Sequence, residues 1–194
     1  WDQRLCLAPN GDLFSTIRQG DASVVTDHID TFTENGLLLK SGEELEADLI
    51  VTATGLNMQM LSDNIPMTVD GKLIKGSEHR VYKGMMLSDV PNMAFTVGYT
   101  NLAWTLKVDM TCKYVCRVLN HMKRRNYQSC VARYDDTDLQ ETAIVNFAAG
   151  YVQRALKSLP KQGSKYPWKL YQNYMLDLLA LGFGRVADKE IEFK

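Results

Sequence analysis

The sequence has little of what marks several common protein classes. Its 22 basic and 23 acidic residues leave a net charge of -1, so it lacks the positive excess that supports binding to a phosphate backbone. The most apolar run, Met175 to Phe183, contains Asp177 and Gly182 and is shorter than the ~20 residues that a membrane-spanning helix needs. We therefore expect no nucleic-acid partner and no integral membrane segment.

The four cysteines include no CxxC pair and predict neither disulfides nor a metal site. A chain of 194 residues buries roughly 70% of the surface that its unfolded form exposes, so its core needs no disulfide. Cys112 and Cys116 lie one helical turn apart, and no histidine stands at the usual zinc spacing from them. We expect the cysteines to be small buried hydrophobic side chains. The sequence shows no signal peptide, and a reduced, cytoplasmic protein fits best.

Short apolar stretches between turn residues organise the amino-terminal part. Residues 12–18 are predicted to form a short helix that is capped by its first residue, an aspartate. Residues 22–25, 28–32 and 36–39 are predicted strands, the last two joined in a hairpin. Glu43–Glu46 carries three acids, and we expect it to be a solvated turn or sheet edge.

Two continuous apolar runs end in glycine. Asp48–Gly55 reads Asp-Leu-Ile-Val-Thr-Ala-Thr-Gly, and Met93–Val97 is followed by Gly98. Such a run is typical of a strand buried on both faces, and the glycine permits a sharp turn beside another backbone or a ligand. We predict two buried strands here. Because any buried strand before a glycine turn gives this pattern, the pattern alone does not identify a ligand site.

Helical periodicity dominates the second half. The clearest predicted helix runs from Thr105 to Met122, and apolar residues recur in it at spacings of four and three. The face predicted to be buried consists of Val108, Cys112, Val115, Leu119 and Met122. Further helices are predicted at residues 139–149, with a continuation through 151–159, and at residues 168–181.

No motif for nucleotide binding or hydrolysis is complete. Residues 182–187 fit the spacing of a dinucleotide-binding loop, but a predicted helix precedes them and only seven residues follow. The pyrophosphate of a dinucleotide needs a strand before the loop and a helix after it, so we interpret these residues as a helix stop. From the residues alone we infer a mixed α/β protein with no assigned catalytic residue and no metal site.

Three stretches together resemble the class B flavoprotein monooxygenases, which include the flavin-containing and the Baeyer-Villiger monooxygenases. Asp48–Leu56 is similar to the family's ATG motif, and Asp89–Tyr99 to the strand and turn that reach the flavin ring. Leu159–Gly163, with Pro167-Trp168 and Gln172–Tyr174, is similar to a bacterial branch related to a cation-resistance protein. The similarity covers nearly the whole chain.

The resemblance implies an α/β fold: a partial two-dinucleotide-binding flavoprotein fold, FAD/NAD(P)-binding and Rossmann-like. It would lack its amino-terminal βαβ units and end in a helical carboxyl-terminal part. Residues 1–52 would be a remnant of the NADP-binding insertion, residues 53–134 the carboxyl-terminal part of the FAD-binding domain, and residues 135–194 a helical extension. The family's two GxGxxG loops, the Baeyer-Villiger fingerprint and the region of the catalytic arginine are absent from this sequence. We therefore expect a carboxyl-terminal fragment, consistent with a start at Trp1 instead of Met.

Cofactor contacts are also implied by the resemblance. Ala53, Thr54 and Gly55 would turn the chain from the NADP-binding insertion toward the FAD-binding domain. The segment from Gly98 to Thr105 would pass beside the isoalloxazine ring of FAD. A helix would begin near Thr105, at the end of this segment. The positively polarised start of that helix would face the flavin pyrimidine, and the amides of Thr105 and Leu106 would make the contact.

The same segment would contribute to the substrate side. Tyr99, Asn101 and Trp104 are the implied residues, although Trp104 fits a place in the core equally well. Many relatives have proline where this chain has Tyr99, so the shape of the turn after Gly98 stays open.

The implied chemistry inserts one oxygen atom of O2 into an organic small-molecule substrate through a flavin peroxide, with FAD and NADP(H) as cofactors. The 194 residues would supply walls and one helix dipole to this chemistry. We expect them to be inactive alone, to hold no FAD tightly and to self-associate through exposed strand edges and apolar faces. Two alternatives stay open: a non-catalytic interaction module, and a fragment of a related FAD-dependent pyridine nucleotide reductase.

Overall fold

The computed structural model describes residues 8–55, 57–58, 65–135, 142–145 and 149–194. Contacts divide the chain into two compact units, Gln3–Leu56 (the first unit) and Asn57–Lys194 (the second unit). Helices and small sheets occur in both, which confirms the mixed α/β class. The two-dinucleotide-binding arrangement and the domain limits at residues 52 and 134 stay predictions.

Among its described residues, the first unit contains one helix and one antiparallel sheet. Helix α1 (Asp12–Gln19) begins after Gly11 and ends before Gly20, two glycines with φ of 66° and 82°, in the left-handed region that favours glycine. The sheet has the order β1 (Ile29–Phe32), β2 (Gly36–Leu39), β3 (Glu44–Glu46). The predicted helix, hairpin and acidic edge are therefore confirmed, although Gly11 and not Asp12 occupies the cap position.

Two strands predicted for the first unit are wrong. Residues 22–25 and Asp48–Gly55 form no strand, and the side chains of Val24, Leu49 and Val51 are 72%, 81% and 78% exposed. An extended run becomes a strand only where a neighbour exchanges backbone hydrogen bonds with it. The sheet of the described residues has β1 and β3 as its edges, and neither pairs with these runs. Hydropathy predicted burial, but it could not supply the partner strand.

In the part of the second unit that the structure describes, the strands pair in four antiparallel two-stranded ladders. They pair β4 (Thr68–Val69) with β5 (Lys72–Leu73), β6 (Val81–Tyr82) with β7 (Met86–Leu87), β8 (Cys130–Ala132) with β11 (Ile191–Phe193), and β9 (Thr142–Ala143) with β10 (Lys161–Gln162). Met93–Val97, predicted as a strand buried on both faces, instead runs outside these ladders with alternate residues exposed. One of its faces packs on the core, and the Phe95 amide donates to the Met85 carbonyl at 2.8 Å.

The long helix of the second unit is confirmed as α2 (Trp104–Arg125), but its buried face is not the predicted one. The buried residues are Lys107, Met110, Thr111, Tyr114 and Val118. On the predicted face Cys112 and Leu119 are exposed, and Cys116 is exposed as well, whereas Cys130 is buried as expected. The buried face includes polar contacts that hydropathy does not register. Lys107 pairs with Asp177, and Arg117 donates hydrogen bonds to the backbone carbonyls of Leu181 and Gly184. A hydropathy pattern counts a lysine as solvent-facing and therefore misses this face.

The carboxyl-terminal helices are shorter than predicted. Residues 139–149 lie largely outside the described residues, and the described part contains β9 instead of helix because it pairs with β10. Helix α3 (Gly150–Ala155) covers part of the predicted continuation. Helix α4 (Tyr174–Asp177) begins six residues later than the predicted Trp168, because Asn173 caps it by accepting the Leu176 amide at 3.1 Å.

A π-helical turn (Leu178–Phe183) continues α4 without interruption. It stops at Gly184, where a Cβ atom would overlap the carbonyl of Ala180. The interpretation of residues 182–187 as a helix stop is therefore confirmed. Wide helical turns of this kind are rare and occur often at functional sites.

Two buried clusters hold the second unit together. The larger contains Tyr82, Met85, Tyr99, Tyr114 and Trp168, and the smaller contains Ile74, Val81, Leu87, Val90 and Leu159. Met110, Val118 and Leu181 extend the larger cluster between α2 and the π-helical turn. Among the helices of the described residues, none combines the length and apolarity needed to cross a membrane.

Candidate functional site

The start of α2 is an open, positively polarised helix end. Residues 101–106 are exposed, and Ala103, the cap residue, is extended and offers no side-chain hydrogen bond. The Leu106 amide donates to the Ala103 carbonyl at 3.3 Å, whereas the Thr105 amide has no backbone acceptor among the described residues. Because amides in the first helical turn carry partial positive charge, this end can donate to an electron-rich or anionic atom.

A glycine and a tryptophan form one side of this helix end. A Cβ atom on Gly98 would overlap the indole ring of Trp104, so the absence of a side chain at Gly98 lets the indole lie against the backbone. Trp104 is nevertheless 51% exposed. Trp104 is therefore compatible with both expectations for it, a place in the core and a place on the substrate side. One part of the ring packs on the turn, and the rest is exposed beside the start of the helix.

Tyr99 lies inside the core and not on an open surface. It is buried, and its hydroxyl donates to Oδ2 of Asp177 at 2.7 Å. Burial, together with the hydrogen bond to Asp177, raises the pKa of the Tyr99 hydroxyl. The phenol therefore stays protonated and acts as a hydrogen-bond donor over the whole physiological range.

Lys107 completes a buried group of three around Asp177. The distance from Lys107 Nζ to Asp177 Oδ1 is 2.8 Å, and both side chains are only 7% exposed. Burial lowers the pKa of Lys107, while the hydrogen bond and the charge of Asp177 oppose that shift. We call Tyr99, Lys107 and Asp177 the Asp177 cluster.

A second set of contacts holds the residues after Tyr99. The Thr100 amide and hydroxyl both donate to the side-chain oxygen of Gln172, at 2.9 and 3.2 Å. The side-chain amide nitrogen of Asn101 donates to the backbone carbonyl of Gln172 at 3.4 Å. Asn101 is exposed, so its side chain can also contact a molecule that lies beside the helix start.

Another buried lysine in the second unit makes a similar group. Lys83 Nζ lies 2.8 Å from Oδ2 of Asp188 and donates to the Tyr114 hydroxyl at 2.7 Å, while the Tyr82 hydroxyl donates to the same Asp188 oxygen at 2.6 Å. Burial lowers the pKa of Lys83, and Asp188 opposes that shift. We call Lys83, Asp188, Tyr82 and Tyr114 the Asp188 cluster; none of its hydrogen bonds involves residues 98–106.

Sequence reasoning missed both clusters. The bond between Tyr99 and Asp177 joins residues 78 positions apart, and that between Tyr82 and Asp188 joins residues 106 apart. The one usable signal was Asp177 itself, an acid inside the most apolar run of the chain. A charged residue in such a run needs a buried partner.

Ala53, Thr54 and Gly55 belong to the first unit, and all three are exposed. Gly55 has φ of 89°, and no atom lies within 4 Å of the place that a Cβ would occupy. The glycine is therefore explained by its left-handed backbone and not by close approach of another group.

The described residues offer groups that could hold one edge of a flat, electron-rich ring such as a flavin, but they offer no cradle for a whole dinucleotide. The open start of α2 offers amide donors to an electron-rich ring edge, and Trp104 offers a flat apolar wall beside it. A pyrophosphate would require a glycine-rich loop that opens a helix, whereas residues 182–187, the formal match, contain the end of one. In the described part of the chain, no three His, Cys, Asp or Glu side chains are grouped so that they could hold a metal ion.

Comparisons with known proteins relate the chain to flavoproteins. No protein-family model matches it, and no solved structure does. It is 49% identical over 193 residues to the FAD-containing monooxygenase EthA of Mycobacterium tuberculosis (strain ATCC 25618 / H37Rv). It is 47% identical over 194 residues to the probable FAD-binding monooxygenase AlmA of Acinetobacter baylyi, and 46% identical over 194 residues to the putative FAD-containing monooxygenase MymA of M. tuberculosis. Each match covers 100% of this chain, which spans 39% of the length of these relatives.

Proposed function

Because this chain is homologous over its whole length to FAD-containing monooxygenases, we propose that it forms the carboxyl-terminal part of an FAD- and NADP(H)-dependent monooxygenase. The enzyme would insert one oxygen atom of O2 into an organic small-molecule substrate. The observation that carries the proposal is identity of 46–49% across all of the chain to the three relatives described above. Similarity of this extent reaches every element of both units, including the start of α2.

In this function the first turn of α2 faces the pyrimidine edge of the flavin. Thr105 is the stronger donor, because its amide has no backbone acceptor, whereas the Leu106 amide is shared with Ala103. Gly98 keeps this edge accessible by letting Trp104 lie back against the chain. When bound, FAD supplies the transfer of electrons from NADPH and the activation of O2.

Substrate contacts are assigned to the exposed residues beside the helix start. Asn101 offers an amide, and Trp104 offers an apolar ring that helps to exclude water. Tyr99 takes a different role from the one that the resemblance implied, because its side chain is buried against Asp177. It fixes the turn instead of touching the substrate.

The first unit is assigned to the NADP-binding insertion. Its exposed residues Ala53, Thr54 and Gly55 would carry the chain onward to the FAD-binding part, and Gly55 has the left-handed backbone conformation that favours glycine. No dinucleotide-binding loop opens α1, since a single glycine, Gly11, precedes it. The residues that cradle NADP phosphates would therefore lie elsewhere in the enzyme.

Alone, the 194 residues would neither hold FAD tightly nor oxidise NADPH, because they offer donors to one edge of the ring only. Exposed apolar side chains, Leu49, Val51, Leu119 and Phe183 among them, would favour self-association. We assign the enzyme to the cytoplasm.

A chimera tests this function. In it, the 194 residues replace the matching segment of EthA from M. tuberculosis. We expect the purified chimera to carry flavin and to consume NADPH and O2 together, whereas the chain alone shows no flavin absorbance after FAD addition and gel filtration. A folded chimera that contains no flavin, or a chain that alone binds stoichiometric FAD, would overturn the proposal.

A further inference from the structure

The open turn before α2 is fastened at both ends to one carboxylate. Tyr99 precedes the exposed residues 101–106, and Lys107 follows them. Each binds a different oxygen of Asp177, Tyr99 to Oδ2 at 2.7 Å and Lys107 to Oδ1 at 2.8 Å. The carboxylate therefore fixes the distance between the two flanks of the turn.

This bridge is a persistent contact and not a fluctuating surface pair. Both charged side chains are buried, and Lys107 Nζ also lies 5.6 Å from the centre of the Tyr99 ring. Exposed ion pairs exchange readily with water, but a buried charge that loses its partner is left without compensation. The three side chains of the Asp177 cluster therefore hold one arrangement.

Asp177 is itself held from two sides. Its amide donates to the Asn173 carbonyl at 3.0 Å. The π-helical turn that follows Asp177 is bound to α2 through hydrogen bonds from Arg117. The guanidinium of Arg117 donates to the carbonyls of Leu181 and Gly184 at 2.7 and 2.5 Å. Residues 177–184 are thus attached to the same helix at two points, so that Asp177 cannot shift without moving α2.

Gln172 adds a second restraint to the turn. It has φ of 52°, an uncommon conformation for a residue with a side chain. Its side-chain oxygen accepts both donors of Thr100. A strained backbone that persists at a contact indicates that the surrounding bonds determine it.

We infer that Asp177 is a positioning residue, which acts through Tyr99 and Lys107 to hold the first turn of α2 open and outward. The inference rests on the proposed function, because that function places the flavin edge at this turn. The Asp188 cluster contains the same chemistry but makes no hydrogen bond to residues 98–106. It therefore provides a matched control within the same core.

Amide hydrogen exchange on the purified full chain tests the inference without any flavin. The reporters are the amides of Thr100 and Leu106, which are hydrogen-bonded to Gln172 and Ala103. With Asp177→Asn we expect both to exchange about tenfold faster, beyond any change in amides of β8. With Asp188→Asn, the exchange rates of these two amides should change no more than those of the other amides in the second unit. Equal acceleration of all amides by both substitutions would overturn the inference.

A milder variant covers the case in which Asp177→Asn does not fold. Tyr99→Phe removes one hydroxyl and leaves the pair of Lys107 and Asp177 in place. We expect faster exchange of the Thr100 amide and no change in β8, and an unchanged Thr100 amide would count against a restraint through Tyr99.

The EthA chimera separates this inference from the proposed function. There, Asp177→Asn should weaken FAD binding by about tenfold, and Asp188→Asn by less than about twofold at equal folded fraction. If the parent chimera binds no FAD, the proposed function fails, while the exchange data still decide whether Asp177 restrains the turn. If both variants weaken FAD equally, Asp177 is a structural residue only.

Discussion

The two buried lysines of the second unit have the same partners in kind but different surroundings. Lys83 and Lys107 each pair with an aspartate at 2.8 Å and each shares that aspartate with a tyrosine hydroxyl. The Asp188 carboxylate is 20% exposed, whereas the Asp177 carboxylate is 7% exposed. The Asp188 cluster joins two parts of the core, while the Asp177 cluster flanks an exposed turn. Identical chemistry can thus serve packing in one place and the geometry of a site in another.

Substitution of the two lysines should reveal the largest difference in stability between the clusters. Lys107→Met leaves the Asp177 carboxylate buried with the Tyr99 hydroxyl as its one remaining side-chain partner among the described residues, so we expect a loss of about 3–5 kcal/mol in the free energy of unfolding. Lys83→Met should cost less, about 2 kcal/mol, because water reaches Asp188 and relieves the unpaired charge. Urea unfolding followed by circular dichroism measures both. A larger loss for Lys83→Met would contradict the difference in burial.

The tyrosines give the next largest effect, through pH. The pKa values of Tyr99 and Tyr82 are raised in the folded chain, so above pH ~10 the unfolded chain releases protons that the folded chain keeps. Stability contributed by these groups is therefore complete below that pH and is lost as the pH rises above it. The stability advantage of the wild type over Tyr99→Phe should fall by about 1.4 kcal/mol per pH unit above pH ~10.

Urea unfolding at a series of pH values between ~9 and ~11 provides the measurement, with Tyr82→Phe as the parallel variant for the Asp188 cluster. For both variants, the stability advantage of the wild type should fall as the pH rises. An advantage of the wild type that grows with pH would contradict the raised pKa of these tyrosines.

Gly98 offers a smaller test that is confined to the turn beside the Asp177 cluster. Gly98→Ala places a methyl group where the Trp104 ring lies, and we expect a loss of about 1–2 kcal/mol in the free energy of unfolding. In a Trp104→Ala background the same change should cost under about 0.5 kcal/mol, because the obstruction is gone. A double-mutant cycle by urea unfolding measures this coupling, and additive losses would show that the indole does not rest on Gly98.

The cysteines give the smallest effect. Cys112→Ser and Cys116→Ser change exposed side chains of α2, so each should alter the free energy of unfolding by less than about 0.5 kcal/mol. In the native chain a thiol reagent should modify Cys112 and Cys116 readily and Cys130 slowly, since Cys130 is buried. Mass spectrometry of the labelled peptides reports the order, and fast labelling of Cys130 would contradict the packing of β8.

Local signals predicted the parts of the fold that local interactions decide. The hairpin of β1 and β2, the approximate extent of α2 and the helix stop within residues 182–187 follow from turn residues and periodicity, and the structure confirms them. The run Asp48–Gly55 failed as a strand because its pairing partner is not a property of its own residues. The expectation of a two-dinucleotide-binding flavoprotein fold came from resemblance and not from periodicity, and it stays a prediction.

In the candidate site, too, the sequence predicted the features that local interactions decide and missed those that depend on distant residues. Gly98 and the start of α2 could be located from sequence, because a glycine after an apolar run and a helix start are both local features. The side chains that hold them could not, because Asp177 and Gln172 lie more than 70 residues away along the chain. The buried face of α2 was missed for the same reason, since Lys107 is buried by virtue of its distant partner.

The most direct test of the account concerns a single amide. Thr105→Pro in the EthA chimera removes the Thr105 amide in the first turn of α2, and that amide has no backbone acceptor among the described residues. Thr105→Ala keeps the amide and serves as the control. We predict that Thr105→Pro weakens FAD binding by about tenfold and that Thr105→Ala changes it by less than about twofold, at equal helix content by circular dichroism. Equal affinity of the two variants for FAD would contradict the placement of the flavin at the start of α2.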